Sequence, residues 1–348
     1  MNPIPSIDLQ GQEAARNRQN SLTKPTGALG RLEDIVIWLA GTQGHALPTT
    51  RPATTILFAS DHPVADHGVS AYPKQVTAAM VSNILGGGAA SAVLCQSLQV
   101  PMQVWDVGVE NAYHVPEKAK NITHFVHGTK GVVGNLFEED AMDEQAFRWA
   151  WQAGINAIDS LPADNKIVLL GEMGIGNTTP AAALCSSLMG VSAADMVGAG
   201  TGVTGSALQN KIDIVSKALL RCAHSSSPKT LLRTLSGREI VAMTSAVIRS
   251  AQRKMAVLVD GFIVSSSVLA ACAIHPEVRN WVYFAHRSAE KGHALVLDHL
   301  DATPMLDCGL RLGEGSGALT ALSLLDQAVV LHSQMATFAE AAVPDRDI

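Results

Sequence analysis

The sequence predicts an α/β fold, a mostly parallel sheet with helices on both faces. Four apolar runs carry that reading, at residues 54–61, 103–108, 166–171 and 255–261. They are continuous rather than alternating, as strands buried on both faces require. Each ends in Gly, Asp or Ser ahead of Ala-rich helical sequence, and the spacing leaves room for a crossover helix between runs. With 348 residues, 47% of them hydrophobic, the chain has material for a core of that size.

In chain order, Met1-Asn2-Pro3-Ile4-Pro5 has no positive region followed by an apolar block, so no secretory signal is expected. Leu29, Leu32, Ile35, Val36 and Leu39 then repeat at helical spacing. The first two strand runs follow, then the third, which leads into "LLGEMGIGNTTPAA" at residues 169–182. The Ser225-Ser226-Ser227-Pro228 cluster reads as a surface turn between helices. The apolar tract 255–274 carries Asp260 and Gly261 in its middle, which makes it strand, turn and helix rather than a membrane span. Near the C-terminus Leu324, Ala328, Leu331 and Met335 again follow helical spacing. The two ends are expected to pack together, residues 1–49 with 314–348, as a small helical domain on a large α/β domain of residues 50–313.

Composition removes several function classes. Lysine and arginine number 25 against 31 acidic residues, a net charge of −6, and no basic block could track a phosphate backbone, so nucleic acid is not an expected partner. Cys95, Cys185, Cys222, Cys272 and Cys308 are odd in number and widely spaced, and are most simply reduced core thiols in a cytoplasmic protein. Neither a dinucleotide fingerprint nor a phosphate-binding loop of the Gly-Lys-Ser/Thr type is present.

In open parallel sheets ligands bind beyond the carboxyl ends of the strands, which is where residues 171–179 fall. Gly174 and Gly176 would let backbone amides approach an anion, and Asn177-Thr178-Thr179-Pro180 can cap a helix whose N-terminus favours phosphate. The same glycines would also serve a plain tight turn. Asp61, His62, Asp66 and His67 lie close together, but the two histidines are five residues apart with Pro63 between, which suits no helical pair of metal ligands. A loop shaping a pocket is expected there. Glu314 sits between glycines ahead of an apolar helix. It would complement that helix's dipole, or act as a desolvated acid of raised pKa and serve as a general base.

Seven motifs, "SLTKPTGALGRLE", "GVSAYPKQVT", "LLGEMGIGNTTPAAA", "QNKIDIV", "VLVDGF", "SAEKGH" and "RLGEGSGA", span nearly the whole chain. In order and spacing they resemble the nicotinate-nucleotide–dimethylbenzimidazole phosphoribosyltransferase family. The resemblance implies a Rossmann-like sheet with a small helical domain from both ends, and a homodimer. It implies transfer of the 5-phosphoribosyl group from nicotinate mononucleotide to 5,6-dimethylbenzimidazole, with no metal and no cofactor. It further implies that Glu314 accepts the proton, and that the donor phosphate meets Gly174, the Gly200-Thr201-Gly202 turn, Lys211 and Ser288. Glu172 would hold ribose hydroxyls or orient the base. Tyr72, Met80 and Leu312 would line the benzimidazole pocket, with Met80 where a glutamine is often found, which leaves the preferred base open. Two other readings stand beside it, a related transferase or hydrolase acting on another base and a non-catalytic nucleotide-binding regulator.

Overall fold

The computed structural model describes residues 3–116, 121–225 and 227–344. Met1, Asn2, Ser226 and residues 345–348, which belong to expectations above, lie outside them. Six parallel strands form one sheet: β1 (Ala53–Ser60), β2 (Met102–Gly108), β3 (Ile122–Val126), β4 (Ile167–Met173), β5 (Ala256–Val259) and β6 (Val282–Phe284), in the order β3-β2-β1-β4-β5-β6. The chain winds outward from β1 to β3, then returns to the other side of β1 and winds outward again. A crevice therefore opens between β1 and β4, at the carboxyl ends.

The continuous apolar runs have a physical reason, since successive side chains feed two separate cores. Ile56, Phe58, Val168, Leu170, Val257 and Val259 pack into one layer, with helices Glu144–Asp159, Thr178–Met189, Arg238–Gln252 and Phe262–Ile274. Leu57, Ala59, Ile167, Leu169, Ala256 and Leu258 pack into the other, with Arg31–Gln43, Val76–Leu85, Ala90–Ser97 and Ser316–Gln334. All four predicted runs are strands. β3 and β6 carry no such signal. β3 is a half-exposed edge whose Thr123 and His124 interrupt the apolar pattern, and β6 has only three residues.

β4 runs further than its apolar core suggests, because Gly171, Glu172 and Met173 pair with Leu57, Phe58 and Ala59 of β1. Glu172 is thus mounted on the sheet itself. The tract 255–274 is β5, a turn and the buried Phe262–Ile274 helix. A second stretch, Val76–Ser97, has the length and mean hydropathy (1.5) of a membrane span. Gly86, Gly87 and Gly88 divide it into two helices, and Val81, Ile84, Leu85 and Cys95 are core residues.

The chain ends meet through polar contacts. Arg18 donates to the carbonyls of His332 (2.7 Å) and Ser333 (2.9 Å), and His332 itself bonds the Gln19 side chain (2.9 Å) and the Ala46 carbonyl (2.8 Å). Leu324, Ala328 and Leu331 lie on the last long helix as their spacing predicts, and Met335 caps it; Ala328 of that row is buried and Leu324 packs partly buried against the core, while the buried stripe is chiefly Leu319, Leu322 and Leu325. Cys95, Cys185 and Cys222 are buried free thiols, Cys272 is half-buried, and Cys308 is exposed rather than in the core.

Candidate active site

A cavity of about 490 Å³ opens at the carboxyl ends of β4 and β5. Glu172, Gly174, Gly200, Thr201, Ser288 and Glu314 all line it, as do Tyr72, Met80 and Leu312 at its outer part. Gly176, Gly202 and Lys211 do not.

One end is built from turns and a buried cation. Gly174 follows β4 directly, and a Cβ there would stand 2.6 Å from the Ser60 carbonyl oxygen and 2.9 Å from His62 Nε2, so only glycine lets the turn close beneath β1. Asn177 occupies the N-cap of the Thr178–Met189 helix without a side-chain cap bond; its amide instead donates to Glu172 Oε2. Thr179 N is tied back to the Gly176 carbonyl (3.0 Å), while Asn177 and Thr178 at the helix start line the cavity. Lys211 is fully buried one layer behind, where Nζ donates to Thr178 Oγ1 (2.7 Å) and the Gly198 carbonyl (3.1 Å). Burial pushes its ammonium down to about 8, against the opposing pull of the Glu290 charge. Lys24, Lys74 and Lys291, the other motif lysines, are engaged elsewhere: Lys24 with Glu33, Lys74 with Asp66 and Glu110, Lys291 with the Ala194 carbonyl. Thr201 Oγ1 takes a hydrogen bond from Ala71 N (2.9 Å) and shares one with Ser70, which ties the Tyr72 loop to the Gly200 turn. Ser288 donates its amide to His293 Nδ1 (2.8 Å), and burial holds that imidazole down to about 3, hence neutral.

The other end presents carboxylates. Glu314 adopts φ +60° between Gly313 (+87°) and Gly315 (+78°), three successive left-handed residues. For a non-glycine residue this conformation costs roughly 1–2 kcal/mol, and it persists only where its surroundings over-determine it. They do so here. Gly171 of β4 lies against the turn, and Asp260, at the end of β5, accepts from the amides of Gly317 (2.7 Å), Ala318 (3.0 Å) and Gly315 (3.3 Å). Asp260 thereby complements the dipole of the Ser316–Gln334 helix, the role open to Glu314 from sequence. The Glu314 carboxylate serves a different helix, since Oε2 accepts from Ser91 Oγ (3.2 Å) and Ser91 N (3.5 Å) in the first turn of Ala90–Ser97. Burial raises its pKa above the usual range and the Asp260 charge adds to this, while the Ser91 donors oppose. Glu172 is pushed further, to about 8, by burial and then by Asp260, Glu239 and Glu314, with the Asn177 amide opposing. Glu172 is thus poised to hold a proton near neutrality, and Glu314 is a stronger base than an ordinary carboxylate.

The acidic and histidine-rich stretch at residues 61–67 is spent on structure. His62 Nε2 meets Glu239 Oε1 at 2.9 Å behind Gly174, and His67 contacts Asn135 and Phe137. Among the described residues no group of three or more His, Cys, Asp or Glu side chains is placed to hold a metal ion.

Residues 4–343 match a family model described as Phosphoribosyltransferase. A nicotinate-nucleotide–dimethylbenzimidazole phosphoribosyltransferase of Bradyrhizobium is 46% identical over 340 residues, 97% of this chain and 95% of that protein. One of the same name from Pseudomonas putida is 43% identical over 345 residues, 98% and 97% of the two chains. The crystal structure of the Thermus thermophilus protein bearing that name superposes with a TM-score of 0.88 at 34% identity, covering 98% of this chain and 100% of that one. The chain belongs to the nicotinate-nucleotide–dimethylbenzimidazole phosphoribosyltransferase family.

In this phosphoribosyltransferase, sequence reasoning leaves several cavity residues without a role: Asp260, His286, Glu290 and Arg311. Asp260 carried a signal, an acid directly after a buried strand run. His286 carried none, since its position depends on β6; its Nε2 lies 3.5 Å from Asp260 Oδ1 and its ring fills the space that a side chain on Gly317 would need.

Proposed function

We propose that this chain transfers the 5-phosphoribosyl group of nicotinate mononucleotide to 5,6-dimethylbenzimidazole, releasing nicotinate and forming α-ribazole 5′-phosphate for the lower ligand of cobalamin. The supporting observation is the pairing, in one cavity, of the raised-pKa carboxyls of Glu172 and Glu314 with glycine turns backed by Lys211. The bond from the anomeric carbon to the pyridinium nitrogen breaks, and its electron pair neutralises the leaving nicotinate ring. A benzimidazole nitrogen forms the new bond. Its other nitrogen must then lose a proton, which Glu314 accepts; that N–H grows more acidic as the bond forms, so modest basicity suffices.

In this reading the donor phosphate meets the Gly174 and Gly200-Thr201-Gly202 turns and Ser288, with Lys211 adding charge from behind, and Gly176 shapes the turn. Glu172 holds the ribose hydroxyls or the base. Tyr72, Met80 and Leu312 form the acceptor pocket. Tyr72 and Leu312 are 55% and 58% exposed in the single chain, which fits a homodimer in which a partner closes that side. We take residues 50–313 as the catalytic domain, with 1–49 and 314–348 as the small helical domain, in a cytoplasmic enzyme.

The test is incubation with nicotinate mononucleotide and a panel of benzimidazoles, purines and phenols, with products identified by mass. A ribosylated benzimidazole carrying the phosphate is expected. Nicotinate released to water alone, whatever acceptor is supplied, would overturn the reading. Glu314→Gln keeps the side chain's size without its basicity, and should lower kcat by about 10²–10⁴-fold with donor binding retained. A Gln variant within about threefold of wild type eliminates the proton-acceptor role.

A further inference from the structure

We infer that Asp260 and Ser91 are paired positioning residues for Glu314, one holding its backbone and the other its carboxylate; this rests on the proposed role of Glu314 as proton acceptor. Asp260 reaches across from β5 to three amides on the C-terminal side of Glu314, at Gly315, Gly317 and Ala318. Among the described residues no other acceptor from the β5 side takes these amides, which fix a left-handed glutamate between two glycines. Ser91 approaches from the Ala90–Ser97 helix, which shares a core layer with the Ser316–Gln334 helix, and grips Oε2 through both its amide and its hydroxyl. Each residue comes from a different crossover, so the carboxylate is held between elements that do not otherwise share a role.

The two anchors have opposite electrostatic effects. Asp260 is a like charge and favours protonation of Glu314, whereas the Ser91 donors favour the carboxylate. The other charged or titratable groups lining the cavity with Glu314 are Tyr72, Glu172 from β4, His286 from the end of β6, Glu290, and Arg311 from the same loop. The Ala90–Ser97 helix contributes only the Cys95 thiol, which burial raises to about 11. Ser91 touches none of these, so its removal reports on Glu314 alone.

The experiment is the pH dependence of kcat for Asp260→Asn, Ser91→Ala and Glu314→Gln in the full-length protein, with thermal melting to confirm folding. Asp260→Asn should cost on the order of 10–100-fold at the optimum through loss of position, and move the acid limb to lower pH. Ser91→Ala should move it to higher pH with a smaller loss, and Ser91→Thr, which restores the hydroxyl, should return it. Limbs that shift together, or stay fixed while kcat falls, overturn the inference. If Asp260→Asn does not fold, the direction of the Ser91→Ala shift decides: unchanged or toward lower pH refutes it. An active Glu314→Gln would instead sink the underlying proton-acceptor reading.

Discussion

Gly171→Ala tests whether the carboxylate turn is held by contact with the sheet. Gly171 lies in β4 and has no left-handed backbone, so alanine meets no conformational objection there. Its obstacle is steric. A Cβ at Gly171 would stand 2.5 Å from the Glu314 carbonyl carbon, 2.6 Å from its oxygen and 2.6 Å from Gly315 N. All three are backbone atoms, so no side-chain rotation relieves the clash. Bringing 2.5 Å to the 3.4 Å at which ordinary contact begins requires the turn to retreat by about 0.9 Å. Overpacking of this kind costs about 1–3 kcal/mol of stability, and a displacement near 1 Å at the reacting groups costs on the order of 10²-fold in rate. The assay is kcat at saturating donor and acceptor, alongside donor affinity and melting temperature. Donor affinity should hold while kcat falls by about that factor. Wild-type kcat in a folded Gly171→Ala protein would show that the turn tolerates retreat, and the account of Gly171 would be wrong.

Lys211→Met should raise the donor KM and also stabilise the protein at neutral pH. Burial lowers the ammonium from 10.5 to about 8, so the protonated form favours the unfolded chain; the cost is fully present below about pH 8, fades as pH rises, and amounts to on the order of 1–3 kcal/mol. A variant with a lower melting temperature at pH 7 and unchanged KM would make Lys211 a structural residue. Met80→Gln should change the ranking of kcat/KM between dimethylbenzimidazole and less apolar bases, and an unchanged ranking would mean that Met80 only packs. His332 is buried between the chain ends with its pKa held down by burial, so its contribution is present above pH 6.5 and lost as pH falls through its lowered value. Acidification should therefore lower the protection of amides in the Leu9–Ser21 helix relative to their intrinsic exchange rates, and His332→Gln should remove that pH dependence; protection that stays pH-sensitive in the variant would assign it elsewhere.

The central strands were legible because each is buried on both faces, so that alternate side chains are apolar for two different reasons. β3 and β6 were not, one being half-exposed and the other too short for any period to show. The motif glycines announced a crowded backbone, but not which backbone crowds them: Gly171 answers to the turn at Glu314, and Gly174 to the Ser60 carbonyl. Glu314 stood out by its apolar, glycine-flanked setting. Its partner Ser91 could not, since a serine in an Ala-rich helix start is ordinary and only the tertiary approach of the two makes it matter. Asn177 does stand at the N-cap as the local sequence suggests, but its side chain makes no cap bond, and its amide N–H is given instead to the buried carboxylate of Glu172 five residues back, a tertiary partner that local sequence does not reveal.

The left-handed turn lies late in the chain, and this bears on how the molecule comes into being during synthesis. A nascent chain emerging in order completes β4 and β5 long before residue 314 leaves the ribosome. For that interval Glu172 and Asp260 exist without the turn, and Asp260 lacks every backbone donor that it will later hold. The Ser316–Gln334 helix brings those donors as it docks. Its arrival both covers the sheet and quiets an exposed acid, so the carboxylate proposed to accept the proton is added last. An incomplete chain has the glycine turns at one end of its cavity and lacks the proposed base at the other.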